Sequence, residues 1–375
     1  MKILADAHIP YLQGVAEQFG EATYLPGDQF TKETVKDKDI LIVRTVTHFD
    51  EKILTGSNVK LICSATIGFD HIDTAYCDTS NIAWRTAPGC NAGSVEQYVV
   101  SSLIRMAERR HFELKDKTIG IVGVGNVGKK VARACELLGM KVLLNDPPRQ
   151  EAEQSDAFVD MITIQKECDF ITFHTPLTKE GKHPTYHLAD ADFFQSLIKK
   201  PILINSSRGS VVNNLTLKRA LRNENVSGAI IDTWENEPEI DRELLELVDI
   251  GTPHIAGYSA DGKWNATKIT LNNINEFFKL EKDPVQLIPI QEPENKIIDV
   301  SLYGIKDQLI QAILKTYDPL KDSRMLKEIP SKFYHFRSHY PLRREYSAYT
   351  IVNLNNENVA LAKELGFNVQ PKHDQ

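Results

Sequence analysis

Gly123-Val124-Gly125-Asn126-Val127-Gly128 follows an apolar run at 118–122 and opens a helical pattern over 127–138. In such a loop the first glycine allows a tight turn and the second lets a pyrophosphate approach the backbone. The third lets helix and strand pack closely. The free N–H groups and the dipole at the helix start favour a negative charge there. The context supports a dinucleotide, because Asp146 ends the next apolar run about 20 residues on, where an acid pairs with ribose hydroxyls. That acid repels a 2′-phosphate, so NAD rather than NADP is expected. Arg149 lies beyond Pro147-Pro148, which are expected to direct it outward into solvent. Gly123, Gly125, Asn126, Val127, Gly128 and Asp146 are the expected contacts of this loop with NAD.

Outward from the loop, apolar runs at 118–122, 141–146, 170–174, 202–206, 229–233 and 248–252 alternate with helical segments. Six strands joined this way predict a Rossmann NAD-binding domain over 93–257. Upstream, strands expected at 2–6, 40–44, 61–66 and 82–85 predict another parallel α/β sheet, a flavodoxin-like substrate domain over 1–92. A helix over 91–110 follows; Ser94-Val95-Glu96-Gln97 fits a capping box, with Asn91 an equal candidate for the cap. A further helix near 262–280 returns the chain to the first domain, which is then discontinuous and completed by 258–281. Glu281-Lys282-Asp283-Pro284 marks a boundary. Beyond it, 282–375 predicts a small α+β module. Its strands are expected near 296–300 and 349–354, with an apolar stripe over 305–317 and a last helix capped by Asn355 or Asn356.

The 375 residues, 42% apolar and 25% charged, exclude a disordered or disulfide-stapled chain. A net charge of −7 argues against nucleic acid or an anionic membrane as the main partner. Cys63, Cys77, Cys90, Cys135 and Cys168 form no CxxC pair, and no metal site is expected. They read as reduced thiols of a cytoplasmic protein. The opening Met1-Lys2-Ile3-Leu4 reads as a strand rather than a signal peptide, and no apolar run nears the ~20 residues that span a bilayer.

Three strand ends carry polar residues for which a core has no use. Asn205-Ser206-Ser207-Arg208-Gly209 ends one, Asp232-Thr233-Trp234-Glu235-Asn236-Glu237 the next, and Thr252-Pro253-His254 the last. Ligands of open parallel sheets bind beyond the carboxyl ends of the strands, so Arg208, Glu237 and His254 are expected to converge. A histidine can take the proton of an alcohol as its hydride leaves. A carboxylate beside it fixes the tautomer and favours the imidazolium. An arginine fork binds a substrate carboxylate and polarises the reacting oxygen.

These motifs, in this order, resemble the D-isomer-specific 2-hydroxy-acid dehydrogenases over residues 1–280. The resemblance implies Arg208, Glu237 and His254 as the catalytic set. It also implies that Thr175, Ser206, Ser207, Arg208, Asp232 and Gly257 contact NAD, with His174-Thr175-Pro176-Leu177 lying under the cofactor. Local features resemble a branch acting on a small phosphorylated hydroxy acid: Val43-Arg44-Thr45-Val46-Thr47, Ser64-Ala65-Thr66-Ile67-Gly68 and Tyr258-Ser259. The first has threonine at 45 where serine is usual, which keeps the hydroxyl. The resemblance implies substrate contacts from Thr45, Thr66 and Tyr258, and a homodimer formed through the C-terminal module, although the 305–317 stripe has packing within the subunit as its alternative. Another substrate, such as 3-phosphoglycerate, and a non-catalytic NADH-sensing scaffold stay open. For the phosphate, Arg44 is the nearest candidate, with a salt bridge as its plain alternative. The basic group Arg337, Arg343 and Arg344 reads as a solvated or dimer-facing surface from which one arginine reaches a substrate phosphate across the dimer.

Overall fold

The computed structural model describes residues 1–280 and 287–370, and the boundary expected at Glu281–Pro284 lies outside them. The chain forms two compact units, Met1–Asn91 with Ser259–Gln291, and Ala92–Tyr258 with Glu292–Gln375. The first holds a parallel sheet of β1 (Lys2–Asp6), β2 (Glu21–Leu25), β3 (Ile40–Val43), β4 (Leu61–Ser64) and β5 (Ala83–Arg85), in the order β2-β1-β3-β4-β5. This is the flavodoxin-like order. Side chains alternate across a strand. Ile3, Ala5, Ile40, Ile42, Leu61 and Cys63 therefore fill one face with Leu271 and Ile274 of the helix Ala260–Phe278. Leu4, Leu41, Val43 and Ile62 fill the other with Phe49, Leu54 and Cys77. The discontinuity thus has a physical basis: the returning helix supplies part of the first unit's core.

The second unit contains β6 (Thr118–Val122), β7 (Lys141–Asn145), β8 (Phe170–Phe173), β9 (Ile202–Asn205), β10 (Gly228–Ile231) and β11 (Ile250–Gly251). They run parallel in the order β11-β10-β9-β8-β6-β7. Beyond β7, a bridge from Leu144 to Phe158 occupies the place of the outer strand of a Rossmann sheet. The helix Ala92–Arg110 packs on this sheet. Its expected capping box does not form. Ser94 is already inside the helix, fully buried, and its hydroxyl donates to Ala256 O at 2.8 Å.

A three-stranded parallel sheet, β12 (Ile297–Asp299), β13 (Thr350–Val352) and β14 (Asn368–Val369), carries the C-terminal module. The helix Ile305–Thr316 buries Leu309, Ile313 and Leu314 in one core with Val95, Val99 and Leu103 of the helix Ala92–Arg110. Gln97 donates across this contact to Thr316 Oγ1 at 3.0 Å. The 305–317 stripe therefore packs within the subunit. Asn355 caps the last helix, Asn356–Glu364. Among the described residues, no helix is long and apolar enough to cross a membrane.

Candidate active site

The glycine loop follows β6 with Gly123 at φ +87°, where a Cβ would come within 2.8 Å of the His174 carbonyl carbon. A Cβ on Gly128 would collide with Gly123 O, so helix and strand approach as closely as a bare backbone permits. Around Gly125 the space is open. Gly125 also caps the helix Asn126–Leu137 without a side chain to occupy the first N–H groups. Asn126 is exposed and Val127 half-buried on its first turn. Asp146 is fixed at the mouth of the loop: Oδ2 accepts from Val124 N at 2.8 Å and Oδ1 from Arg149 N at 3.1 Å.

Arg149 does not point outward as expected. Its Nη1 donates to Val124 O at 2.6 Å, two nitrogens pair with Glu153, and its guanidinium lies 5.1 Å from the Phe158 ring centre. Pro147 and Pro148 start the helix Pro147–Glu153, which carries Arg149 back over the loop.

Thr175 and Ser206 follow the carboxyl ends of β8 and β9, and each has a buried hydroxyl without a hydrogen-bond partner among the described residues. A buried hydroxyl left unpaired costs roughly 1–3 kcal/mol. Two such groups, with the open cradle at Gly125, fit a polar ligand such as NAD. His174 is tied to Thr172 Oγ1 at 3.0 Å and driven by burial down to about 3, so it is neutral. Asn205 organises the next turn. Its Oδ1 accepts from Ser207 N and Ser207 Oγ, at 3.1 and 2.9 Å, and its Nδ2 donates to Arg208 O at 3.0 Å. Arg208 donates to Ser207 O at 2.9 Å.

The last two strand ends converge through Asp232. This fully buried carboxylate accepts from Thr252 Oγ1 at 2.6 Å, Ile255 N at 2.8 Å and Ala256 N at 2.9 Å. Burial raises its pKa, while the Thr252 and backbone hydrogen bonds oppose that rise. In this structure its oxygens clasp the turn that holds His254, which sits at φ +57° with its N–H on Asp232 O. Such a φ is uncommon for a non-glycine residue and persists where surroundings enforce it.

Glu237 Oε2 lies 2.7 Å from His254 Nδ1, and Glu237 Oε1 accepts from Trp234 N at 2.8 Å. A carboxylate only accepts, so Nδ1 carries the hydrogen, and in the neutral ring the lone pair is then on Nε2. Burial works to raise the Glu237 carboxyl, yet His254, the Trp234 N–H and the charge of Arg337 hold it below the usual range. Trp234 itself donates from Nε1 to Thr252 O at 2.9 Å, bracing the two strand ends. Gly257 is half-buried in the same turn. Tyr258 sets its ring at a T-shaped 72° to Tyr340, at 6.3 Å, and beneath the Arg337 guanidinium at 5.6 Å.

Thr45, Thr66 and Arg44 belong to the first unit. Thr45 is exposed after β3. Thr66 donates to Gly68 O at 3.1 Å and lies 2.7 Å from Ser64 Oγ, which in turn reaches His71 Nε2. Arg44 forms a two-pronged pair with buried Asp6 at 2.8 and 3.2 Å, the salt bridge of its plain alternative. The basic group is not the solvated face expected of it, and only Arg337 of the three is half-buried rather than buried. Arg343 and Arg344 are buried, and Arg343 donates to Ala256 O at 2.5 Å and to Ser94 while stacking on Tyr317 at 4.4 Å. The charged triplet hid this, because the partners that bury it come from distant segments. Asn205, Thr252 and Trp234 also gave no separate signal, although each stands beside a residue that did.

Residues 91–256 match the NAD binding domain of D-isomer specific 2-hydroxyacid dehydrogenases, and residues 290–366 match a domain of unknown function. Among solved structures, the chain is similar to NAD+-bound 3-phosphoglycerate dehydrogenase of Entamoeba histolytica. The two share 27% identity and a TM-score of 0.65 over 78% of this chain and 99% of that one. A protein of Bacteroides fragilis named erythronate-4-phosphate dehydrogenase is 52% identical, over 94% of this chain and 99% of its own. One of the same name from Porphyromonas gingivalis is 44% identical, over 98% and 100%. With a glycine loop, a tethered acid and a carboxylate–histidine pair on one sheet, the chain is an NAD-dependent oxidoreductase. It belongs to the erythronate-4-phosphate dehydrogenase family of the D-isomer specific 2-hydroxyacid dehydrogenases.

Proposed function

We propose that the chain oxidises 4-phospho-D-erythronate with NAD, giving (R)-3-hydroxy-2-oxo-4-phosphooxybutanoate, NADH and a proton, as a step of pyridoxine 5′-phosphate (vitamin B6) biosynthesis. The observation that carries it is the 2.7 Å contact of Glu237 with His254 Nδ1, which leaves Nε2 as a base, in a chain 52% identical to a named relative. The glycine loop, Asp146, Thr175, Ser206, Ser207, Asp232 and Gly257 are the residues proposed to hold NAD. When bound, NAD supplies the acceptor for the hydride. His254 Nε2 takes the proton of the substrate C2 hydroxyl, and the Glu237 carboxylate stabilises the imidazolium so formed. Arg208 binds the carboxylate end and polarises the reacting oxygen. Thr45, Thr66 and Tyr258 meet the polyol and Arg44 stands near the sheet end. Domains at 1–92 completed by 258–281, at 93–257 and at 282–375 serve substrate, NAD and dimerisation.

A cytoplasmic homodimer is the proposed working form. All five cysteines are buried thiols, which suits a reducing compartment. The C-terminal module leaves Ile297, Leu302 and Ile305 exposed near its edge strand β12, an apolar surface that a second copy would cover. The test is single-turnover NADH formation with 4-phosphoerythronate in parallel with 3-phosphoglycerate. A burst with the first alone, lost in His254→Ala, is expected. A burst with 3-phosphoglycerate alone would replace the substrate, and none with either despite NAD binding would favour the sensing scaffold.

A further inference from the structure

We propose that Arg337, in the C-terminal module, receives the phosphate of the substrate within the same chain that carries His254. The inference rests on the reaction proposed above, and every contact it uses lies inside the second unit.

The position of Arg337 follows from packing. Phe333 opens the short helix Phe333–Ser338 and is buried in one core with Leu326, Ile231 and Trp234. The helix is therefore seated on the wall that carries Glu237, whose carboxylate accepts from Trp234 N. From that seat Arg337 lays its guanidinium over the ring of Tyr258, four residues after His254. Stacking occupies only the face of a guanidinium and leaves its edge donors for an anion. Its Nε is buried and has no hydrogen-bond partner among the described residues. Its charge acts on Glu237 in the same direction as His254, lowering that carboxyl.

Other arginines that the sequence offered are committed. Arg44 is forked on Asp6, Arg149 on Glu153, and Arg343 is sealed against Ala256 and Ser94. The substrate has two anionic ends, and one cation cannot serve both. With Arg208 given to the carboxylate, the guanidinium of Arg337 meets the planar, multi-donor geometry that phosphate recognition asks for. The module is then part of the specificity machinery, and no arginine has to cross from a partner subunit.

The experiment compares full-length wild type, Arg337→Gln and Arg337→Lys on 4-phosphoerythronate and on D-erythronate, which lacks the phosphate. Arg337→Gln is expected to raise KM for the phosphorylated substrate on the order of 10–100-fold, the range for losing charge-assisted hydrogen bonds. Its kcat, and its kcat/KM for D-erythronate, should each stay within about threefold of wild type, with Arg337→Lys recovering part of the loss on the phosphorylated substrate. An unchanged KM, or equal losses on both substrates, would overturn the proposal. Calorimetric titration of the NADH-bound enzyme with inorganic phosphate gives a readout independent of turnover. Phosphate binding weakened at least about tenfold in Arg337→Gln is expected, and equal binding counts against the site. If the wild type turns over neither compound, the proposed reaction fails, and this titration alone decides the role of Arg337.

Discussion

Asp232 holds the backbone of Ala256 through a 2.9 Å hydrogen bond, and the same carboxylate grips Ile255 N and Thr252 Oγ1. One buried side chain thus sets the turn on which His254 stands. Asp232→Asn presents an amide where Ala256 N needs an acceptor. We expect a loss of about 2–4 kcal/mol in stability and a fall in kcat, checked by urea unfolding and steady-state rates. Unchanged stability would show that the turn stands without the clasp.

Glu237 is kept ionised beside His254. Glu237→Gln keeps size and hydrogen-bonding atoms but removes the charge that favours the imidazolium. We expect kcat for oxidation to drop by roughly 10²-fold, within the range set for acid–base partners, while NAD affinity, read by fluorescence titration, stays level.

The two glycines separate folding from cofactor binding. Gly128→Ala forces a Cβ against Gly123 O and is expected to lower the melting temperature and weaken NAD together. Gly125→Ala meets open space in the protein, so its melting temperature should match wild type. Its NAD dissociation constant should still rise by at least about tenfold, because the added methyl fills the approach to the backbone. Melting curves with and without NAD distinguish the two.

Asp146 sits where ribose hydroxyls are expected, with Arg149 tied to Glu153 alongside. Asp146→Ser removes the charge that repels a 2′-phosphate. The ratio of kcat/KM for NADP over NAD should rise on the order of 10²-fold. A ratio that does not move would place cofactor choice elsewhere.

Glu96 is buried, and burial lifts its carboxyl to about 7 despite Lys130 at 3.8 Å. The folded state therefore binds a proton that the unfolded state, with a pKa near 4.3, has released. Stability falls as pH climbs from about 4.3 through 7 and stays lower above that window. Glu96→Gln should raise the melting temperature at pH 8 by roughly 4 °C and leave it unchanged near pH 4. An equal gain at both would remove burial of charge as the cause.

The strands of the NAD sheet were legible because strands buried on both faces are written as unbroken apolar runs, such as Ile202-Leu203-Ile204. β2 was not, because Glu21-Ala22-Thr23-Tyr24-Leu25 is a half-exposed edge strand without such a run. The helices Pro319–Glu328 and Phe333–Ser338 escaped for a related reason: their seating depends on cores from other segments. In the site, Glu237 and His254 drew notice as polar residues ending apolar strands, and the structure brings them together. The burial of Arg343 was invisible, since it depends on Tyr317, Tyr340 and Ser94, scattered along the chain.

The bond from Arg343 to Ala256 spans 87 positions of sequence. The ribosome therefore finishes the glycine loop, the strands and the histidine turn well before it makes the residue that pins that turn from behind. A chain cut short before Arg343 also loses Tyr346, Tyr349, Ile351 and Phe367, which share one core with Val95, Val99 and Leu103, so it is expected to lose stability together with turnover. The turn that carries His254 is thus braced from behind only once synthesis has passed residue 343.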